Sequence, residues 1–309
     1  MPEPLLHATT PAVDRARVGI SYSGGGPLLL VELGIAQAFI ELGVRPAAIA
    51  GVSSGAIAGT AHALDPVHGE GIRAAARALE HVSNRALGLT PLKVAWRALW
   101  QRRHLASLGD NAPIEGLVAA GFRQLTGSDR LTFERFGRDG RPRLIVGATD
   151  RLRAEPVWFP DDSDVADALV ASSAIPGIFP PRRLRVAGEE RLLVDGSVVG
   201  EQPLSMLALD GCGTIYACAV GYDGERLAAP ANLIDNVLQS VSILRHQGAR
   251  LEQDYVQLRM GDQGVIHHIH PEVVVPVKGY DFTPELIARV MRDACEATKR
   301  WLTEQRLLP

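Results

Sequence analysis

The expected fold follows from the stretch Ala50-Gly51-Val52-Ser53-Ser54-Gly55-Ala56, which has the form Gly-x-Ser-x-Gly. An apolar run at residues 47–50 precedes it, and a small-residue helical pattern at residues 56–63 follows. A strand, a sharp turn and a helix in this order form a nucleophile elbow, whose close backbone contacts require glycine on both sides of the serine. We therefore predict that the turn presents Ser53 as a nucleophile.

A second glycine-rich turn lies upstream, where a predicted strand at residues 17–22 runs into Gly24-Gly25-Gly26 and a predicted helix at residues 28–42. Glycine is costly to order, so a triple glycine indicates that something approaches the backbone. Free N–H groups at a helix N-terminus bind anions. We interpret the loop, together with the N–H of Ser54, as an oxyanion hole. A plain flexible turn and a phosphate site are the alternatives, although the endings of the P-loop and dinucleotide motifs are missing.

The order of these elements predicts an α/β fold on a mainly parallel sheet, with ligands at the carboxyl ends of the strands. Alternation and turn residues predict further strands at residues 143–149, 156–159, 191–194 and 214–220. Helices are predicted at residues 165–174 and 233–258 and from Thr283-Pro284 onward, with an extended segment at residues 265–275. The expected organisation is a lead-in at 1–16, a catalytic core at 17–220 with a helical, cap-like insertion at 66–125, and a mainly helical C-terminal part at 221–309 on the same domain.

Composition narrows the class of protein. The chain has 309 residues, is 46% hydrophobic and 22% charged, and carries a net charge of -3, which argues against a nucleic-acid-binding protein. Its three cysteines fit neither a zinc site nor a disulfide framework, so they are expected to be buried thiols: Cys212, Cys218 and Cys295. Neither a signal peptide nor an apolar stretch long enough for a membrane span is evident, which predicts a cytoplasmic protein.

The residues alone leave the base that activates Ser53 open between a histidine and a carboxylate. Asp195 ends a predicted strand and precedes Gly196. A carboxylate is a weak base in water, but desolvation raises its pKa. Four late histidines are the other candidates, and three of them share one predicted strand, where alternating surface and core positions also account for them: His246, His267, His268 and His270.

Four motifs, in this order, resemble those of the patatin-like phospholipases: Gly24-Gly25-Gly26, Gly51-Val52-Ser53-Ser54-Gly55, residues 171–181 (ASSAIPGIFPP) and Asp195-Gly196-Ser197. The resemblance implies a three-layer sandwich with a mainly parallel central sheet and helices on both faces. It also implies a Ser53–Asp195 dyad without histidine, which hydrolyses fatty-acyl esters of lipids such as phospholipids or lysophospholipids, without metal or cofactor. The alternatives are a non-catalytic lipid-binding or regulatory protein on this fold and a lipid acyltransferase.

The chain departs from the family pattern in three places. Pro27-Leu28 stand where the family often has a basic residue and glycine, so we expect a stiffer oxyanion loop that lacks a neighbouring positive charge. Ser197 follows Asp195-Gly196 where glycine or alanine is usual, and Gly200-Glu201-Gln202-Pro203 lacks the asparagine that often precedes the proline. These departures affect the expected substrate and rate more than the fold.

Residues 91–103 form an amphipathic pattern with Trp96 and Trp100 on one face and basic residues on another. Tryptophan beside basic residues suits a membrane interface and predicts peripheral membrane contact. A cap helix that packs on the core and keeps a solvated basic side explains the same pattern, so both interpretations stay open. The sequence predicts no particular oligomeric state.

Overall fold

Within residues 12–94, 96, 107–128, 130–276 and 279–307, which the computed structural model describes, eight strands form one sheet. The strands are β1 (Asp14–Tyr22), β2 (Ala48–Val52), β3 (Arg143–Asp150), β4 (Glu155–Trp158), β5 (Arg182–Val186), β6 (Glu189–Val194), β7 (Cys212–Cys218) and β8 (Val265–Ile269). Their order is β5-β6-β3-β2-β1-β7-β8, and β4 also pairs with β3. The five neighbouring strands β3, β2, β1, β7 and β8 are parallel to one another. β4 and β6 are antiparallel to β3, and β5 is antiparallel to β6.

Helices cover both faces of this sheet. They are α1 (Leu29–Glu41), α2 (Ser54–Leu64), α3 (Glu70–Leu79), α4 (Ala112–Thr126), α5 (Val165–Ser172), α6 (Leu204–Leu209), α7 (Leu233–Met260) and α8 (Pro284–Glu304). Side chains of α1, α2, α5 and α8 share one hydrophobic core, and those of α6 and α7 share another. Alternate side chains of a strand face opposite ways, and in β2 Ile49 enters the first core while Ala48 and Ala50 enter the second. The predicted α/β fold with helices on both faces is confirmed.

The first two strands bring the two predicted active loops together. β1 and β2 are parallel neighbours, and Tyr22 near the glycine loop pairs with Gly51 of the elbow motif. Every residue of β2 is buried, which explains its continuous run of small and apolar residues. Because both strands end at the same edge of the sheet, the glycine loop and the elbow begin side by side.

Several element boundaries differ from the predicted ones. β1 begins at Asp14, before the predicted start at Arg17, and the short strand β5 was not predicted. β8 ends at Ile269 although the extended pattern continues to residue 275, and Pro271, which has no N–H to donate, follows closely. The final helix begins as predicted, with the Thr283 side chain accepting a hydrogen bond at its N-terminus.

Two expectations from composition can be compared with the structure. All three cysteines are buried and free, as predicted. Across the part of the chain that the structure describes, none of the helices has both the length and the apolar content needed to cross a bilayer.

Candidate active site

Ser53 occupies the sharp turn between β2 and α2. Its backbone angles are φ 54° and ψ -128°, a conformation that a residue with a side chain rarely adopts. Such strain persists only where the surroundings enforce it, and it is common at functional sites. The turn places the Ser53 side chain at the N-terminus of α2, where free backbone N–H groups favour negative charge.

The glycines on either side of Ser53 allow this turn because their neighbours leave no room for a side chain. A Cβ on Gly51 would lie 2.3 Å from the carbonyl oxygen of Gly55, and a Cβ on Gly55 would lie 2.3 Å from that of Ser23. Backbone atoms cannot move aside as a flexible side chain can. The Gly-x-Ser-x-Gly spacing is therefore a requirement of packing between the elbow and the end of β1.

Ser53 and Asp195 lie side by side at this edge of the sheet. The Ser53 hydroxyl donates a hydrogen bond of 2.6 Å to Asp195 Oδ2. Asp195 follows β6, whose last residue Val194 pairs with Thr149 near the carboxyl end of β3, and β3 is the neighbour of β2. The two residues meet because β2, β3 and β6 bring their ends together.

Asp195 is 1% exposed and is held by several hydrogen bonds. Its Oδ1 accepts from the Ser197 N–H at 2.9 Å and from the Ser197 hydroxyl at 2.6 Å. Its backbone N–H donates to the Ala174 carbonyl, and its own carbonyl accepts from the Thr149 hydroxyl. Burial raises the pKa of the Asp195 carboxyl above its ordinary value, although the hydrogen bonds from Ser197 and Ser53 act in the opposite direction. This balance gives a buried carboxylate that can accept a proton more readily than one in water.

Ser172 holds the backbone of the elbow, a role that the sequence did not reveal. The Ser53 N–H donates to Ser172 Oγ at 2.9 Å, and the Ser172 hydroxyl donates to the Gly147 carbonyl at 2.6 Å. Ser172 belongs to the Ala-Ser-Ser-Ala motif, so the motif signalled its importance without giving its partner. Its bonds link the turn to β3 and α5.

The glycine loop lies against the elbow. A Cβ built on Gly24 would be 3.2 Å from the Ser53 Cβ, which places the loop next to Ser53. The Gly25 N–H donates to Ser54 Oγ at 2.7 Å, so in this conformation it is engaged by the elbow helix. Ser23 Oγ accepts from the Val220 N–H at 3.1 Å, which ties the start of the loop to the chain that leaves β7.

Arg245 of α7 provides a positive charge beside the loop. Its guanidinium donates to the Gly24 carbonyl at 2.7 Å and to both carboxylate oxygens of Glu201 at 2.5 Å. Burial would lower the pKa of Arg245, but the hydrogen bonds and charge of Glu201 outweigh it and raise that pKa above its usual value. The expectation that Pro27-Leu28 leave the loop without a neighbouring charge is therefore wrong. A partner 221 positions away in sequence gave no local signal of this contact.

An apolar pocket opens next to Ser53 and is lined by side chains of α2, α3 and α4. Tyr280 and Phe282, which precede α8, also contribute to its wall. Its other large apolar lining residues are Leu29, Ile57, Leu64, Leu79, Val82, Leu87, Ile114, Leu117, Val118, Phe122, Leu125, Leu169, Ile175 and Phe179. The helices α3 and α4, which fall within the predicted insertion at 66–125, therefore form much of the space that a substrate at Ser53 would enter.

The four candidate histidines lie elsewhere. His267 packs against the ring of Tyr216 at 5.4 Å. The other three have ring nitrogens within 4.0 Å of the Asp223 carboxylate: His246, His268 and His270. β8, which carries His267, is the edge strand, and β7 and β1 separate it from β2. The histidine alternative for the base receives no support from this arrangement.

Of the two tryptophans in the predicted membrane contact, the structure describes Trp96. Trp96 is 58% exposed, and Leu92, one helical turn before it, is 82% exposed. Trp100 lies outside the described residues. An exposed pair at this spacing forms one apolar face, which is the pattern expected for an interfacial helix.

Comparison with known proteins places this chain in a family. The model of the patatin-like phospholipase family matches residues 20–208. An uncharacterised NTE family protein of Mycobacterium tuberculosis is 30% identical over 220 residues, which cover 70% of this chain and 51% of that protein. A second such protein of the same species is 30% identical over 203 residues, covering 64% of this chain and 29% of the other. The chain thus spans about half or less of the length of these relatives.

A solved structure has a similar fold. Human GIVD cytosolic phospholipase A2 superposes with a TM-score of 0.52 at 14% identity, covering 97% of this chain and 59% of the other. The sequence match over most of the α/β core, and the shared fold, lead to one conclusion: this chain belongs to the patatin-like phospholipase family.

Proposed function

We propose that this protein is a serine acyl hydrolase that cleaves fatty-acyl esters of lipids. The observation that carries the proposal is the 2.6 Å hydrogen bond from the Ser53 hydroxyl to the buried Asp195 carboxylate, at the mouth of an apolar pocket. A nucleophile within hydrogen-bond reach of a base whose pKa is raised by burial has the geometry and the proton affinity for general-base catalysis.

In the proposed reaction, Ser53 Oγ attacks the ester carbonyl while Asp195 accepts the hydroxyl proton. The carbonyl oxygen becomes an oxyanion, which binds the backbone N–H groups of the loop at residues 24–26 and of Ser54. Because the Gly25 N–H donates to Ser54 Oγ, its use for the oxyanion requires that hydroxyl to rotate away. Asp195 then returns the proton to the leaving alcohol, and an acyl ester remains on Ser53.

Deacylation repeats the same steps with water. Asp195 takes a proton from a water molecule, which attacks the acyl carbonyl, and the proton passes to Ser53 Oγ as the fatty acid leaves. The apolar pocket supports a fatty-acyl substrate, because each buried CH₂ group contributes about 0.8 kcal/mol to binding. An acceptor other than water in this step would make the protein an acyltransferase.

The proposal is tested with nitrophenyl esters of short and long acyl chains. We expect Ser53→Ala to abolish the burst of released nitrophenol and Asp195→Asn to lower kcat by about 10²–10⁴-fold, the range typical of a lost general base. His267→Gln, which changes a candidate histidine far from Ser53, serves as the control and should keep turnover within a few-fold. Wild-type rates in both dyad variants would contradict the dyad.

Covalent labelling with a fluorophosphonate separates the hydrolase from a non-catalytic lipid-binding protein. An activated serine reacts with this probe, so wild-type protein should be labelled and Ser53→Ala should not. Folded wild-type protein with an inert Ser53 would favour the lipid-binding function.

We further propose that Leu92 and Trp96 contact membranes peripherally, together with Trp100. The exposed side chains of Leu92 and Trp96 should insert at the interface of anionic liposomes. In sedimentation, the Trp96→Ala, Trp100→Ala double variant is expected to bind less than wild type. Leu152→Ala, which removes another exposed apolar side chain, is the matched control and should bind normally. Equal binding by the double variant and wild type, or no binding by either, contradicts this proposal.

A further inference from the structure

Three histidines and an aspartate converge at the edge of the sheet beside the oxyanion loop. Asp223 lies in the chain that leaves the carboxyl end of β7, His268 is in β8, and His270 follows that strand. His246 approaches from α7. The ring nitrogens lie 3.8 Å (His246 Nδ1), 3.3 Å (His268 Nε2) and 3.9 Å (His270 Nδ1) from the nearest Asp223 carboxylate oxygen.

The fold brings these side chains together for reasons of strand geometry. Residues two apart in an extended chain face the same way, so His268 and His270 project together, and their rings stack at 6.4 Å with an interplanar angle of 4°. The buried Ile269 between them points into the core. β8 is parallel to β7, so Asp223 reaches the same end of the sheet.

The distances resemble those between the ligands of one metal ion. Ligand atoms about 2.0–2.2 Å from a tetrahedral Zn²⁺ ion lie about 3.3–3.6 Å from one another. One ligand-type atom from each of Asp223, His268 and His270 lies within 4.8 Å of the others. Two of the three nitrogen–oxygen distances exceed the 3.5 Å limit of a hydrogen bond. Among the residues that the structure describes, the buried His270 Nδ1 meets no hydrogen-bond partner.

We propose that Asp223, His268 and His270 form a binding site for a divalent transition metal ion of the zinc type. Two imidazole nitrogens with one carboxylate oxygen are a donor set that suits zinc, and three protein ligands leave the fourth tetrahedral position for a water molecule. The ion takes no part in the ester hydrolysis proposed for Ser53.

The site lies next to α7, whose His246 Nδ1 is 3.8 Å from Asp223 Oδ1. His246 follows Arg245, the residue whose guanidinium holds the Gly24 carbonyl. The segment that leaves β7 and carries Asp223 also passes the glycine loop, since a Cβ on Gly25 would lie 2.4 Å from the Val220 side chain. A metal ion that fixes Asp223 therefore fixes the carboxylate that His246, the neighbour of Arg245, contacts.

Metal binding is measured on the 309-residue chain after removal of its affinity tag and dialysis against a chelator. Zn²⁺ titrated by calorimetry should bind with a stoichiometry of one ion per chain and raise the Tm, because an ion that binds the folded state stabilises it. Co²⁺ bound at the same site should show the visible absorption of tetrahedral coordination.

Asp223→Asn and His270→Ala are each expected to weaken Zn²⁺ binding by at least about tenfold, the effect on metal affinity typical even of an outer-shell change. His267→Gln, on the other face of the same strand, is the matched control and should bind as wild type. Circular dichroism verifies that each variant is folded. Absence of saturable binding in wild type, which would leave a cluster of imidazole–carboxylate contacts only, overturns the proposal. Binding that survives both ligand variants overturns it equally.

Discussion

The proton affinity of Asp195 depends on two opposing influences within a few ångströms. Burial raises the pKa of the carboxyl, and the donors on Ser197 and Ser53 lower it. Oδ2 faces the nucleophile, whereas Oδ1 accepts both donors of Ser197. The serine at position 197 therefore adds a hydrogen bond to the oxygen that does not contact Ser53.

Ser197→Ala removes the hydroxyl that donates to Asp195 Oδ1. Loss of the hydroxyl donor raises the pKa of Asp195, so the base stays protonated up to a higher pH and the acidic limb of the kcat/KM profile moves to higher pH. At neutral pH we expect a decrease within about tenfold, because a single hydrogen bond of this kind contributes about 0.5–1.5 kcal/mol. Ser197→Thr keeps the hydroxyl and should retain the wild-type profile. An unmoved acidic limb in Ser197→Ala would show that Asp195 is not the titrating base.

Two helices that contain none of the four motifs, α7 and α4, contribute side chains to the candidate site. α7 contributes Arg245, which bonds the glycine loop, and α4 lines the apolar pocket. Both helices have long regular patterns, but a pattern does not state which residue meets which loop. These contacts became visible only when the sheet placed the elements side by side.

Arg245→Met tests the contact with the loop. The variant removes the donor to the Gly24 carbonyl and leaves the buried Glu201 carboxylate unpaired, so both activity and Tm should fall. A hydrogen bond to a charged group contributes about 1.5–3 kcal/mol, which corresponds to a loss of about 10–100-fold in kcat/KM. Adding Glu201→Gln should restore much of the Tm while activity stays low. Full recovery of activity in the double variant would mean that the bond to Gly24 is unimportant.

Val118→Trp tests the role of α4 in the pocket. Val118 lines the pocket, and the larger side chain occupies space that we assign to the acyl chain. We expect kcat/KM to fall about tenfold or more for long-chain esters and to change little for short-chain ones, since a few lost CH₂ contacts amount to more than 1.4 kcal/mol. Ala120→Trp, at an exposed position of the same helix, is the control. Equal losses for both chain lengths would contradict this assignment.

Across the whole molecule, features that arise from contacts between residues close in sequence were predictable, and features that arise from contacts between distant segments were not. The elbow at Ser53 and the α/β order were predictable, because close backbone packing demands glycine at fixed spacing. Asp195 was recognisable through the family motif but not through its own strand-end position. Arg245 and the pocket could not be predicted, since they arise from packing between distant segments. The strand β5 was missed because it is short and rich in arginine.

A buried carboxyl in α1 affects the stability of the whole molecule. Burial raises the pKa of Glu32 well above its usual range. Between pH 4.5 and the folded-state pKa, the Glu32 carboxyl is protonated in the folded protein and ionised in the unfolded chain. The free energy of unfolding therefore falls as the pH rises through this range. Glu32→Gln imitates the neutral acid, and its Tm should exceed that of wild type at pH 8 and match it at low pH.

Glu41→Gln in the same helix gives the opposite sign and serves as the control. The pKa of Glu41 is lowered, chiefly by its contact with Lys299, so its charge stabilises the fold above its unfolded pKa and this contribution is lost as the pH falls. The variant should lower the Tm at neutral pH and have no effect in acid. A Glu32→Gln variant less stable than wild type at pH 8 would mean that this carboxyl is charged in the folded state.

The long sequence separation of the contacts at Ser53 has a consequence for biosynthesis. A ribosome makes the nucleophile first, the base 142 positions later, and Arg245 and the pocket wall at Tyr280 later still. Protein domains fold as units once their chain has emerged. For the proposed dyad, a nascent chain therefore carries Ser53 without its base, and we expect a truncated product lacking Asp195 to be inert toward lipid esters.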